Sequence, residues 1–321
     1  NMPIESRRSA SLVRLMGAVT FSAETGGEQV PVFSMAGGRS QNQMWTLDGG
    51  ITQNMALGIA QLSLNPPAES LQEFKAEMSN YSAELGRTGS GFIMMTTRSG
   101  TNQLHGAAYH FLRNDALDAR TFFAARKAPL RYNIFGTSLG GPIKRDKTFF
   151  FFNYEGARRR DGVTVSNTNV PHPFERTGDF SRRTDVRILD PLTYNTTTRT
   201  AQQFPGNVIP VNRLDPVGRA MAALYPDPNV ASAPPRAGRF NYLVNVSDKL
   251  TQDYYTTRVD HNIGTNDRVF GRYSYVQAPQ DVASVFPTVA ADSRAGIREN
   301  RHHNALGSWI HNFKPTLLNE V

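Results

Sequence analysis

Over much of the chain beyond residue 104, apolar and polar residues alternate with a period of two. From Gly106 to Arg113, Ala107, Tyr109 and Phe111 point one way while Gly106, Ala108 and His110 point the other. In 252–263, Tyr255, Val259 and Ile263 share a face, and Arg258 and Asp260 share the opposite one. In 268–277, Val269, Tyr273 and Tyr275 oppose Arg272 and Ser274. This period belongs to extended chain, whose successive side chains project to opposite sides. Further strands are predicted over about 131–141, 148–157 and 300–313. The faces of 300–313 are ambiguous, and Phe149-Phe150-Phe151-Phe152 is apolar on both. The connections alternate in length: 114–130 is long, 142–147 short, 158–251 long, 264–267 short, 278–299 long, and a short turn follows at Pro315. A soluble sandwich has no reason to keep that parity. A transmembrane β-barrel does, because its outer loops are long and its inner turns short, with strands apolar outward and polar inward.

The first hundred residues read differently. Met44-Trp45-Thr46-Leu47 is a short strand closed by an Asp48-Gly49 turn. Pro66-Pro67 breaks the chain, a helical turn starts at Ala68, and Glu73 to Ala76 is extended. Gly86, Gly89 and Gly91 punctuate a turn before the β-prone run Phe92 to Thr97. This is a small α+β unit.

Composition narrows the class. Hydrophobic residues are 39% of 321, mean hydropathy is −0.43, and no run approaches the roughly 18 apolar residues of a membrane helix. That argues against a helical membrane protein and leaves a barrel open, since only alternate residues of a barrel strand meet lipid. With no cysteine, disulfide frameworks and thiolate chemistry are excluded. The 19 Phe, 11 Tyr, 26 Gly and 19 Pro suit strands, turns and long loops. Net charge is +8, mostly from arginine, yet no nucleic-acid-binding module is present, so no nucleic-acid partner is expected. Asn1 precedes Met2, and Leu318 to Val321 carries no terminal signature, so both ends read as cuts within a longer protein.

Candidate chemistry is sparse. Gly136-Thr137-Ser138-Leu139-Gly140 has the spacing of a nucleophile elbow, but that motif needs a strand–turn–helix corner, and Gly141-Pro142 follows within a predicted hairpin. Gly86 to Gly91 lacks the Lys-Ser/Thr that a phosphate-cradling loop requires. His302 and His303 face opposite ways on a strand, and His311 lies eight residues, about 27 Å, beyond His303. Asp115, Asp118 and Arg120 read as a loop's internal hydrogen-bond set. The arginines of 158–251 are either solvated or paired with lipopolysaccharide phosphates. No catalytic residue, cofactor or metal is expected.

Tyr81-Ser82-Ala83-Glu84-Leu85-Gly86-Arg87-Thr88-Gly89-Ser90-Gly91 followed by Thr97-Arg98-Ser99-Gly100-Thr101-Asn102 resembles the plug-to-barrel junction of TonB-dependent receptors, in their Oar-like branch. Phe111 to Arg120, Gly136 to Ile143, Asp146 to Phe151, Asn153-Tyr154-Glu155-Gly156, Arg258 to Asn262 and Asp267 to Ser274 continue the likeness. It implies an α+β plug, residues 1–101, inside an antiparallel transmembrane β-barrel of about 22 strands. Residues 102–321 would supply about the first six strands, with 158–251 as an extracellular loop, leaving the barrel incomplete, since closure takes about eight. It also implies the outer membrane of a Gram-negative bacterium, contact with its lipid and lipopolysaccharide, and energy-coupled uptake of an unknown substrate. The TonB–ExbB–ExbD complex would act through a TonB box upstream. Asp48, Gly49, Gly86, Gly89 and Gly91 are the expected structural motif of the plug. Lumen-facing Arg258, Asp260 and Arg272 are the expected polar contacts between plug and barrel, since unpaired charge in a confined lumen is costly. A barrel for secretion or adhesion, and a soluble carbohydrate-binding β protein, are the alternatives.

Overall fold

The computed structural model describes residues 7–23, 32–39, 42–53, 64–78, 81–82, 85–86, 88–119, 127, 129–230, 240–288, 292 and 295–321. The N-terminal unit opens with a 3-10 helix, Ser9–Leu15. The strands β1 (Val19–Ala23) and β2 (Val32–Met35) form an antiparallel pair. A second sheet holds β3 (Gln43–Leu47), β4 (Gly50–Ile51), β5 (Leu71–Met78) and β6 (Gly91–Thr97) in the order β4-β3-β6-β5, with β3 and β6 parallel. Ala10, Val13, Phe33, Met35, Trp45, Leu47, Leu71, Ile93 and Met95 make its core. Phe33 and Phe74 meet the buried Trp45 ring edge-on at centroid distances of 6.1 and 6.5 Å, a favourable geometry for aromatic pairs. The helical turn after Pro67 is a 3-10 turn of three residues, Ala68–Ser70, which gives way at once to β5.

The rest is a meander of long antiparallel strands. These are β7 (His105–Asn114), β8 (Leu130–Lys144), β9 (Thr148–Thr168), β10 (Tyr242–Asn262), β11 (Asp267–Gln277), β14 (Arg301–Lys314) and β15 (Leu317–Glu320). Short β12 (Gln280–Val282) and β13 (Gly296–Arg298) lie off this path, β12 pairing with β10. β7 and β15 are the edges of the path, and among the described residues the wall does not close on itself.

Two boundaries differ from the sequence reading. The arms of the longest hairpin run to Thr168 and start again at Tyr242, so the connection is shorter than 158–251. Backbone pairing there continues past the point where the apolar alternation ends, from Arg158↔Thr251 to Val165↔Val244. The path also has a seventh strand, β15, after the Pro315 turn, and two short strands in the 278–299 interval.

The wall has two distinct faces. Gln252, Tyr254, Thr256, Arg258 and Asp260 on β10 and Arg272 and Ser274 on β11 are buried, on the side of the N-terminal unit. Tyr255, Val259 and Tyr273 are exposed on the other. The ambiguous β14 is settled by its contacts: Asn304 bonds Arg272, Leu306 approaches Gly50, and Trp309 is 44% exposed on the outer side.

Candidate functional site

Asp48 sits in the two-residue turn between β3 and β4, with φ of +52° followed by +86° at Gly49. Paired positive values match a type I′ hairpin turn, whose first position Asp tolerates and whose second suits Gly. The turn carries the Asp48 carboxylate to the wall, where its side chain is 2% exposed. Within its own unit it accepts hydrogen bonds from the Thr97 backbone N–H and hydroxyl at 2.8 and 2.9 Å. From the wall, Arg258 Nη1 lies 3.2 Å from Oδ1 and Arg272 Nε 2.7 Å from Oδ2.

Both arginines are held from behind. Arg258 donates a fork of two bonds to Asp260, each 2.9 Å, and its guanidinium stands 4.2 Å from the Phe270 ring centroid. Arg272 donates to Ser274 Oγ at 3.0 Å and Asn304 Oδ1 at 2.8 Å. Half-exposed Arg268 adds a bond to Asp260 at 3.1 Å. Buried charge survives only when paired and hydrogen-bonded on every side. Here two carboxylates and two buried guanidiniums neutralise one another. The structure thus brings Asp48, expected as part of a turn motif, onto Arg258 and Arg272, which were expected together with Asp260 as polar contacts.

A second contact escaped the sequence reading. Arg8, buried at the start of the N-terminal unit, reaches Glu155 on β9 at 2.9 Å and donates to Gln252 on β10 at 3.0 Å. Glu155 also accepts from Tyr109 at 2.8 Å. Beside it, the Arg7 guanidinium stacks 3.7 Å over Phe111 and pairs with Glu69. The clue available was Glu155 at an inward position of β9, but nothing local joins it to Arg8. The remaining motif glycines divide. At Gly91, φ is +158° and an added Cβ would lie 2.7 Å from the Glu77 carbonyl. Among the described residues, an added Cβ at Gly89 would meet the Asn42 amide at 2.9 Å, and one at Gly86 would meet nothing within 4 Å. No described residue crowds Gly86 as Glu77 crowds Gly91.

The rival motifs resolve simply. Gly136 to Gly140 lies inside β8, which runs on to Lys144 with no helix behind it, so no nucleophile corner exists. Asp115 accepts from Leu130 N–H, and Arg113 pairs with Asp118, as a loop's own bonds; Arg120 lies outside the described residues. His303 lies 2.7 Å from the Tyr273 hydroxyl and His311 2.7 Å from Asp267. Among the described residues no cluster of three or more His, Asp or Glu suits a metal.

On the outer face, Tyr154, Tyr255, Tyr275 and His303 align across β9, β10, β11 and β14 by direct cross-strand register. Consecutive rings stand 4.9, 6.2 and 4.7 Å apart. The connection between β9 and β10 is itself folded. Asn207 ties Phe180, Val186 and Ile188, and Asp190 accepts from Arg213 at 2.7 Å. That bond and the Leu192 N–H hold the Asp190 carboxyl below its usual range. A cavity of ≈310 Å³ lies beside His172, Glu175, Arg176 and Arg183, whose charges are already paired, Arg183 with Glu175 and Asp185 and Arg176 with Asp227.

Residues 96–321 match the family model described as "Outer membrane beta barrel domain". The TonB-dependent transporter Oar of Myxococcus xanthus is 29% identical over 129 residues, 38% of this chain and 12% of that protein. The outer membrane transporter YddB of Escherichia coli has a similar structure, with a TM-score of 0.52 at 12% identity over 97% of this chain and 35% of its own. A mutant of the ferric enterobactin receptor PfeA of Pseudomonas aeruginosa scores 0.50 at 10% identity, over 95% and 36%. The chain thus spans about an eighth of the curated relative and about a third of these structures.

Proposed function

The chain belongs to the outer membrane β-barrel family, and from that premise we propose that it is part of a TonB-dependent transporter, with residues 1–101 as plug and 102–321 as the first barrel strands. The observation that carries the reading is the buried carboxylate of Asp48 on one unit, held by Arg258 and Arg272 of the other. A small mixed sheet bolted to the inner, polar face of a lipid-facing wall is the arrangement a gated import channel needs. It seals the lumen at rest and is fastened by polar contacts that exchange with water rather than by a continuous apolar core.

In this reading a substrate engages the long connections and the outward side of the plug. The TonB–ExbB–ExbD complex then draws on the chain upstream of Arg7, and a path opens when the bolt lets go. The protein does no covalent chemistry. Lipid and lipopolysaccharide contact the outer face, and the substrate class is open among ferric chelates, cobalamin, oligosaccharides and peptides.

The test is a growth comparison on single nutrient sources of these classes. A strain lacking this gene and a strain lacking TonB should share a deficit on the same source, reversed only in the first by the gene itself. A deficit that appears without the gene yet not without TonB would replace import with a TonB-independent role such as secretion or adhesion.

A further inference from the structure

On the outer face of the wall, Arg131 is registered directly on Arg160, and Arg160 on Lys249. All three are exposed. Directly opposed side chains stand about 4.5–5.5 Å apart at Cβ, and like charges so placed repel. Lys249 has one acidic neighbour, Asp281, 3.5 Å away and as open to solvent as itself. Arg131 and Arg160 have no ion pair among the described residues. Arg158, on the same face one step toward the short turns, is by contrast held by Asp253 at 2.8 Å, with Phe135 beneath it at 5.4 Å. The three cations therefore form a row of their own, in which, among the described residues, Lys249 alone has an acidic partner, the exposed Asp281.

The height of that row is informative. Six residues along β9 separate Arg160 from Tyr154, which starts the aromatic row running through Tyr255 and Tyr275 to His303. At a rise of about 3.3 Å and a tilt of roughly 40°, the cations stand about 15 Å beyond the aromatic rings. The apolar, lipid-facing band of a barrel wall is about 25 Å tall, so cations about 15 Å beyond rings that face lipid stand at its outer rim. The cations thus reach the layer of phosphates and sugars just outside the acyl chains, on the side of the long connections.

We propose that Arg131, Arg160 and Lys249 form a docking site for the phosphates of an outer-leaflet glycolipid, of the lipid A type. A guanidinium grips a phosphate with two parallel bonds and the ammonium supplies a point charge. One phosphate between neighbouring guanidiniums turns their repulsion into a bridge. The assignment rests on the transporter reading only in taking the long connections to be the outward ones.

The experiment is native mass spectrometry of the intact protein, purified in detergent, stripped of lipid and titrated with bisphosphorylated lipid A. The triple variant Arg131→Gln, Arg160→Gln, Lys249→Gln should lose affinity on the order of a hundredfold, with its heat-modifiable gel mobility, the sign of a folded barrel, unchanged. Lys314→Gln, at the opposite end of the wall, should bind as the parent does, and dephosphorylated lipid A should bind the parent as weakly as the intact lipid binds the triple variant. Equal binding by the folded triple variant, or equal binding of the dephosphorylated lipid, overturns the proposal. Complete displacement of the lipid by equimolar inositol hexakisphosphate would also overturn it, in favour of a site for soluble anions. Arg160→Cys should react with an impermeant maleimide on intact cells while Lys314→Cys should not. The reverse pattern would sink the outward assignment itself, whereas the expected pattern together with failed lipid binding sinks the docking site and leaves the transporter reading standing.

Discussion

Asp48 answers to two arginines at once, so a change there disturbs both. Asp48→Asn keeps the shape and removes the charge, leaving Arg258 and Arg272 buried with only Asp260 between them. Breaking a buried pair from one side costs about 3–5 kcal/mol. The variant should release the N-terminal unit at markedly lower urea, read from the fluorescence of buried Trp45. A double-mutant cycle with Arg272→Met should show coupling above about 1 kcal/mol, and additive losses would mean that the two residues do not act together. Gly100 is the steric counterpart: an added Cβ would stand 2.3 Å from the Phe150 carbonyl and 2.6 Å from that of Gly141. Gly100→Ala should therefore lower the same midpoint, while Gly86→Ala, which no described residue crowds, should leave it within about 0.5 kcal/mol. Arg258, Asp260 and Arg272 were legible in the sequence because strict alternation puts them opposite Tyr255, Val259 and Tyr273. Arg8 was not, because its partner Glu155 lies far along the chain and only the three-dimensional fold joins them.

At the scale of elements, the strands were legible wherever one face meets an apolar medium and the other a polar one. They were not where pairing outlasts that contrast. The β9–β10 hairpin continues to Thr168 and Tyr242 through residues whose composition reads as loop, and β15 is too short to show a period. The connection between the arms makes a prediction of its own. Asp190 is depressed by Arg213 and the Leu192 N–H, and Asp179 by Ser181. A depressed carboxyl stabilises the fold above its unfolded value, about 4, and that contribution fades as pH falls through the lower folded value. Hydrogen exchange over residues 179–213 should thus be flat from pH 7 to 5, once corrected for intrinsic rates, and should rise only below about 4. A rise that begins near pH 6 would mean that these carboxylates do not hold the connection.

For the whole molecule, the two tryptophans report on the two media. Trp309 lies 44% exposed on the outer face and Trp45 is fully buried in the N-terminal core. In bilayers doped with brominated lipids, Trp309 fluorescence should be strongly quenched and that of Trp45 spared, as measured on the two single-tryptophan variants. Quenching of both alike would mean that the wall does not separate lipid from the N-terminal unit. The fastenings between unit and wall also have an order along the chain. Arg8 grips β9 and β10, Asp48 grips β10 and β11, and Gly100 lies against the carbonyls of β8 and β9. Tension entering from the N-terminal side therefore loads them in series rather than in parallel. The Arg8 clasp bears the force first and can yield while the Asp48 bolt still holds, so the unit is built to peel from its anchorage in successive small steps, each far cheaper than tearing every fastening loose at once.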